Sequence, residues 1–306
     1  MNELKFLEEQ GVDEGLIRKV EEFRRTYETP AEASHRIVKP AIPFYGKEIL
    51  EMAIAGILMG ENILLTGPKA TGKNILAENL AWIFNRPSYN VSFHVNTNSG
   101  DLIGTDTFTD NEVKLRKGSI YQCAEYGGFG ILDEINMAKN DAVSVLHATL
   151  DYRRSIDVPG YDKIDLHPAA RFIGTMNYGY AGTRELNEAL TSRFAVINLE
   201  PMGEDELRKL INSQFPKLKT KWCDQFVELF MDIRKKTDSL EISPKSLDLR
   251  GLLTSINLID NGLSTYDALS LGIINKVFDS FERNLVEDMV KTRIANISER
   301  NRLFND

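Results

Sequence analysis

The run Gly67-Pro68-Lys69-Ala70-Thr71-Gly72-Lys73-Asn74 has the residue types and spacing of a phosphate-binding loop. Holding an anion on backbone alone needs several N–H groups aimed at one point. Glycine lets the chain bend that way and lets the backbone come close. Gly67 and Gly72 supply the bends here, a helix starting after the loop would add its positive N-terminal end, and Lys73 is placed to reach outer phosphates. The expected ligand is a nucleotide, ATP first among them. A surface turn before a helix is the rival reading, and the chemistry farther along the chain counts against it. The loop pattern ordinarily ends in Ser or Thr, whose hydroxyl binds Mg²⁺, and Asn74 stands there instead. An amide oxygen is a hard donor that can ligate the ion directly or hold it through water. Weaker Mg²⁺ binding than in a Ser or Thr loop is the expectation.

About sixty residues on, Gly130-Ile131-Leu132 runs into Asp133-Glu134. Side chains alternate at a strand tip, so one carboxylate can face a metal while the other faces an attacking water. Asp133 is the candidate for the metal and Glu134 for the general base against a γ-phosphate. An acidic turn after a strand is the plain alternative. Thr175-Met176-Asn177 closes a later apolar segment, and Asn177 could orient the water from the other side or make a local turn before Gly179. Arg193 lies between a short helical stretch and a strand, with Arg184 nine residues earlier. Either is a surface arginine or a finger that completes a neighbouring subunit's site.

These residues need elements to hold them. Asn62–Thr66, Tyr89–Val95, Gly130–Asp133, Arg171–Met176 and Ala195–Leu199 read as strands. Lys47–Met59, Asn74–Phe84 and Asp141–Tyr152 read as helices between or before them. Alternating strands and helices predict an α/β sandwich with a mostly parallel sheet. After Pro201 the strands stop, and Glu204–Gln214, Trp222–Lys235, Ser246–Asp260 and Thr265–Asn296 read as helical. The composition shift predicts a core over residues 41–200 and an all-helical domain over 201–306. Residues 1–40 form an extension, with apolar positions at Leu4, Leu7, Leu16, Val20 and Phe23 suited to one or two amphipathic helices.

The chain has 306 residues, a net charge of -8 and two cysteines, Cys123 and Cys223. An acidic balance counts against wrapping nucleic acid. Two cysteines a hundred residues apart fit idle thiols in a reducing compartment rather than a disulfide framework or a metal site. The start, MNELKFLEEQ, has no apolar core of signal-peptide length, and Met52–Met59 is far short of a membrane span. A cytoplasmic protein is expected, with no membrane partner.

Taken in order, GPKATGKN (67–74), GGFGILDEIN (127–136), GTMN (174–177), ELNEALTSRF (185–194) and SPKSL (243–247) resemble the AAA+ ATPases, specifically the MoxR branch with its NorQ and CbbQ relatives. The resemblance covers about residues 40–260. It implies a P-loop AAA+ αβα core with a helical lid, Mg-ATP as cofactor, and a hexameric ring with ATP between subunits. It also implies hairpin insertions near 97–122 and 155–168. By position, Lys73 matches Walker A, Asp133 and Glu134 Walker B, Asn177 sensor 1 and Arg193 the arginine finger. Lys245 occupies the place where sensor 2 is usually Arg, with Arg250 as a fallback. Asn96 matches the polar residue that restrains the glutamate in some members, against the plainer reading of a buried strand-end Asn. The branch commonly works with a von Willebrand factor A-domain partner on a protein client. An ATP-binding scaffold with little turnover, a DNA-directed motor and a ringless interaction protein are the competing readings.

Overall fold

The computed structural model describes residues 3–109, 111–158, 160–178, 186–294 and 299–305. The chain divides into two compact units, Met1–Glu200 and Pro201–Asp306.

The first unit begins with helices α1 (Glu3–Glu9) and α2 (Glu14–Thr26). Asp13 caps α2 by accepting from the N–H groups of Gly15 and Leu16, and Ile17, Val20 and Phe23 form its buried stripe. That stripe packs into one apolar core with helix α3 (Lys47–Leu58), which buries Leu50, Ala53, Ile54 and Ile57 at helical spacing. Phe6 lies against Trp82, and Phe23 meets Phe84 edge-on at 5.1 Å between ring centroids. The N-terminal extension is thus docked on the core.

The nucleus is strand β1 (Ile63–Gly67), buried throughout, followed by helix α4 (Lys73–Ile83) and strand β2 (Ser88–Ser92). The short helix α5 (Ser99–Leu102) then leads into an antiparallel hairpin of β3 (Gly104–Thr109) and β4 (Glu112–Lys117), closed by helix α6 (Ser119–Tyr126). Strand β5 (Phe129–Asp133), helix α7 (Asn140–Thr149) and a second small hairpin, β6 (Ser155–Ile156) with β7 (Ile164–Asp165), come next. Strand β8 (Arg171–Asn177), helix α8 (Glu188–Thr191) and strand β9 (Ala195–Asn198) complete the unit.

The five long-range strands form one sheet in the order β2-β5-β8-β1-β9. Every pairing in it is parallel, and helices run between the strands. This is the α/β architecture that the alternation of strands and helices predicts. Because β8 sits between β1 and β5, three strand ends converge on one edge. Gly67 lies level with Asn177, and Leu132, just before Asp133, lies level with Gly174. In open parallel sheets ligands bind beyond the carboxyl ends of the strands.

The second unit is helical: α9 (Glu204–Gln214), α10 (Thr220–Asp238), α11 (Leu249–Asp260), α12 (Thr265–Gly272) and α13 (Ser280–Arg293). Arg293 pairs with Glu228 and Asp232 across α10 and α13. The helix expected over Thr265–Asn296 is broken. Gly272 packs backbone-to-backbone on Gly251, where an added Cβ would meet Gly251 O at 2.3 Å. A 3-10 turn over Ile274–Lys276 follows, and Asp279 caps a fresh helix through the N–H groups of Phe281 and Glu282. Asn296 lies outside the described residues. The helix expected from Ser246 starts only at Leu249. Strand β2 ends at Ser92 rather than Val95, and Asn96 is an exposed loop residue whose N–H donates to His94 Nδ1 at 3.1 Å. The reading of Asn96 as a buried strand-end residue is therefore wrong. No helix among the described residues is long and apolar enough to cross a membrane.

Candidate nucleotide site

Between β1 and α4 the chain turns through left-handed backbone three times: Gly67 at φ +149°, Ala70 at +62° and Gly72 at +84°. Gly67 admits no side chain, since a Cβ there would lie 2.4 Å from Leu199 O. Gly72 stacks under Phe44, whose ring would meet a Cβ at 3.5 Å. Phe44 is itself pinned to α4: its N–H donates to Asn79 Oδ1, while Asn79 Nδ2 donates to Ile42 O. Neither contact is visible in the sequence. The first turn of α4 has no side-chain cap, so its leading N–H groups face the loop.

The Lys73 amine is buried in this cradle. It donates to Gly67 O at 3.0 Å, Pro68 O at 2.6 Å and Thr71 Oγ1 at 3.1 Å. Each of these acceptors is neutral. Burial pulls its pKa down to about 8, partly opposed by the Asp133 carboxylate. A desolvated cation inside a ring of backbone amides fits an oligophosphate, and the glycine geometry fits the close approach that such an anion needs.

The two carboxylates meet this loop through β8. Thr175, 2% exposed, donates from Oγ1 to Asp133 Oδ1 at 2.7 Å. The same Oγ1 accepts from the Glu134 N–H at 3.2 Å. Glu134 lies in the left-handed region at φ +53°, ψ +45°, which costs a residue with a side chain roughly 1–2 kcal/mol. The turn aims its carboxylate at Asn177, whose Nδ2 donates to Glu134 Oε1 at 3.4 Å. The structure thus brings Asp133, Glu134 and Asn177 together at adjacent strand ends. Thr175 ties them, and the sequence reading missed that role. The signal was present in the spacing: Thr175 and Asn177 are two apart on one strand and share a face.

The hard oxygens that could hold a Mg²⁺ on the protein side are those of Asp133 at the end of β5 and of the Asn74 amide at the start of α4. Among the described residues no group of three His, Cys, Asp or Glu gathers to hold a metal.

Arg193 does not join this cluster within the chain. It donates to Ala189 O and forms an ion pair with Asp151 at 3.4 Å, and its Nε is buried without a partner. Arg184 lies outside the described residues. In the helical unit Lys245 and Arg250 are both exposed, and the Lys245 ammonium sits 5.5 Å from the centroid of the Phe278 ring.

Comparison with known proteins agrees with this geometry. Residues 62–194 match the AAA domain of the dynein-related subfamily. The uncharacterized protein YojN of Bacillus subtilis (strain 168) is 30% identical over 250 residues, spanning 80% of this chain and 82% of that protein. An uncharacterized protein of Staphylococcus aureus (strain bovine RF122 / ET3-1) is 32% identical over 239 residues, 76% of this chain and 90% of its own length. Among solved structures, a RuvB mutant of Thermotoga maritima is similar at a TM-score of 0.45 and 18% identity, covering 80% of this chain and 76% of that one. The chain belongs to one family with YojN, and residues 62–194 of its α/β unit match the P-loop AAA domain of the dynein-related subfamily.

Proposed function

We propose that this protein hydrolyses ATP to ADP and phosphate and uses the cycle to remodel a protein client. The observation that carries the reading is the Asp133–Thr175–Glu134–Asn177 arrangement at the strand ends beside the phosphate loop. In it Lys73 and the loop amides bind the phosphates and orient the γ-phosphate. Glu134 accepts a proton from the attacking water, and Asn177 holds the Glu134 carboxylate in place. Bound at Asp133 and Asn74, Mg²⁺ would offset the negative charge of the phosphates.

The ordered motifs shared with the MoxR branch support a ring, a hexamer first among the options, in which Arg193 of one copy serves the site of the next. They also support a von Willebrand factor A-domain partner. An exposed apolar pair on the β3–β4 hairpin, Phe108 opposite Val113, favours contact with a protein client. The acidic net charge of -8 disfavours nucleic acid as the client.

Phosphate release by the wild type and by Glu134→Gln tests the chemistry. A fall of at least 100-fold is expected in the variant, while equal rates would remove Glu134 from the mechanism. Particle mass with and without ATP tests the ring, and a mass that stays monomeric in both refutes it. Asn74 favours a second reading, an ATP-gated scaffold with little turnover. Under that reading nucleotide binds tightly and phosphate release stays at background at every Mg²⁺ concentration.

A further inference from the structure

We infer that Thr175 is a positioning residue of the site, a single hydroxyl that sets both the metal-side carboxylate and the backbone turn that aims the general base. This rests on the hydrolytic reading above and adds a residue to it. The hydroxyl has one proton to give and lone pairs to accept with, and the structure uses both. Its O–H donates to Asp133 Oδ1 at 2.7 Å, and its oxygen accepts from the Glu134 N–H at 3.2 Å. One bond is given and the other accepted, so one rotamer satisfies both.

The need for such a clamp follows from the backbone. Glu134 has φ +53°, a conformation that residues with side chains hold only when their surroundings fix it. Glu134 lies past the last ladder residue of β5, and the Thr175 hydroxyl supplies the acceptor for its N–H. Asp133 is the last residue of β5: on the β2 side its backbone is level with Ser92 and its carbonyl accepts from the Phe93 N–H at 2.9 Å, while toward β8 the register ends one residue earlier, at Leu132 opposite Gly174. That ladder fixes the backbone of Asp133 but not its side chain, so without the Thr175 bond the carboxylate would choose among rotamers. Thr175 is buried and level with Leu65 on β1, so its own backbone is held by the central ladder. It therefore transmits the rigidity of the sheet to two groups that lie just past it. Donating to one carboxylate oxygen of Asp133 fixes the orientation of the group and so of its other oxygen, which is how outer partners orient metal ligands.

Thr175→Val keeps the shape and removes the hydroxyl, while Thr175→Ser keeps the hydroxyl. The first readout is the Mg²⁺ dependence of binding of a fluorescent ATP analogue, which needs no turnover. In Thr175→Val the Mg²⁺ concentration for half-maximal tight binding should rise about 10- to 100-fold, the usual effect of losing an outer partner of a metal ligand. Affinity in EDTA should stay within about threefold, because Lys73 and the loop amides are untouched. The second readout is turnover, where kcat should fall about 10- to 100-fold with KM for Mg-ATP at saturating metal little changed. Thr175→Ser should restore both to within about threefold. If the wild type binds ATP but releases no phosphate, the hydrolytic reading fails while the Mg²⁺ titration still decides the role of Thr175. A valine variant with wild-type Mg²⁺ dependence, or a serine variant as impaired as the valine one, overturns the inference. Melting curves of the empty proteins identify a variant that has simply lost its fold. In that event Thr175→Ala replaces Thr175→Val in the same titration, with the same expected and refuting results.

Discussion

Raising the pH should loosen nucleotide binding while tightening the empty fold, and both effects trace to Lys73. Burial holds its ammonium at about 8 instead of the usual 10.5. Only the protonated amine pairs with phosphate. Its charged fraction falls from roughly three-quarters at pH 7.5 to roughly 3% at pH 9.5, so affinity should drop about 25-fold over that range, near 2 kcal/mol. The sign for folding is opposite. In the unfolded chain the amine keeps its proton up to 10.5, so Lys73 makes the unfolded state hold more protons, and between about 8 and 9 the stability of the empty protein rises with pH. Above about 9 the buried thiols oppose this, since burial pushes Cys123 up and Cys223 up to about 11, so the fold keeps protons that the unfolded chain has lost; Arg86 and Arg171, held at about 10, enter only higher. The assay is equilibrium binding of a fluorescent ADP analogue at fixed Mg²⁺ and ionic strength, run beside urea unfolding of the nucleotide-free protein. Affinity that stays flat from pH 7.5 to 9.5 would refute the reasoning, since it would mean an amine with its ordinary pKa that is not desolvated in the loop.

Gly67→Ala places a Cβ 2.4 Å from Leu199 O in a left-handed conformation, which should cost about 1–3 kcal/mol and weaken nucleotide binding at least tenfold, read by thermal melting and by the same binding assay. Arg86→Met removes a fully buried guanidinium that donates to the carbonyls of Tyr27, Tyr126 and Gly127. Stability should fall by about 3 kcal/mol in urea unfolding, with faster amide exchange in α2, because three carbonyls lose their donor. Mg²⁺ alone at millimolar concentration should leave the melting temperature unmoved, whereas Mg-ADP at 100 times its Kd should add about 2.7 kcal/mol. A shift with the metal alone would show that a preformed ion site exists.

Much of the fold was readable because its signals are local. Continuous apolar runs gave the buried parallel strands, and the glycines with Lys73 gave the loop between β1 and α4. Asp133, Glu134 and Asn177 were readable as strand-end residues, since a strand that stops in polar residues exposes them at an edge. What joins them was not readable. The Thr175–Asp133 bond spans 42 positions and exists only because β5 and β8 pair in one particular register. The partner of Arg193, Asp151, is likewise 42 positions away and carries no sequence signal of its own. The errors have the same origin. Helical periodicity ran on through Gly272 because it does not register a glycine that packs against another helix's backbone. Asn96 reads as a strand-end residue because the alternation continues three residues past Ser92, the last ladder residue of β2.

The charges at the site explain why Asn74 matters more than its single position suggests. Lys73 is a buried cation whose hydrogen-bond partners are all neutral, and Asp133 is a carboxylate whose nearest fixed partner is the neutral Thr175. The two stand on opposite sides of the β8 strand end, one after β1 and one at the tip of β5. A bare phosphate chain would meet the lysine well and the aspartate badly, while a bare Mg²⁺ would do the reverse. A metal–phosphate unit satisfies both at once, so ion and nucleotide should bind as one cooperative ligand. In such a site the first residues of α4 decide how strongly the ion is coupled to the phosphates. Under the proposed function, a neutral amide oxygen at Asn74, on a longer and freer side chain than Ser or Thr, would loosen that coupling without removing it. The burden of holding the metal side would then shift to Asp133, and through it to the hydroxyl of Thr175.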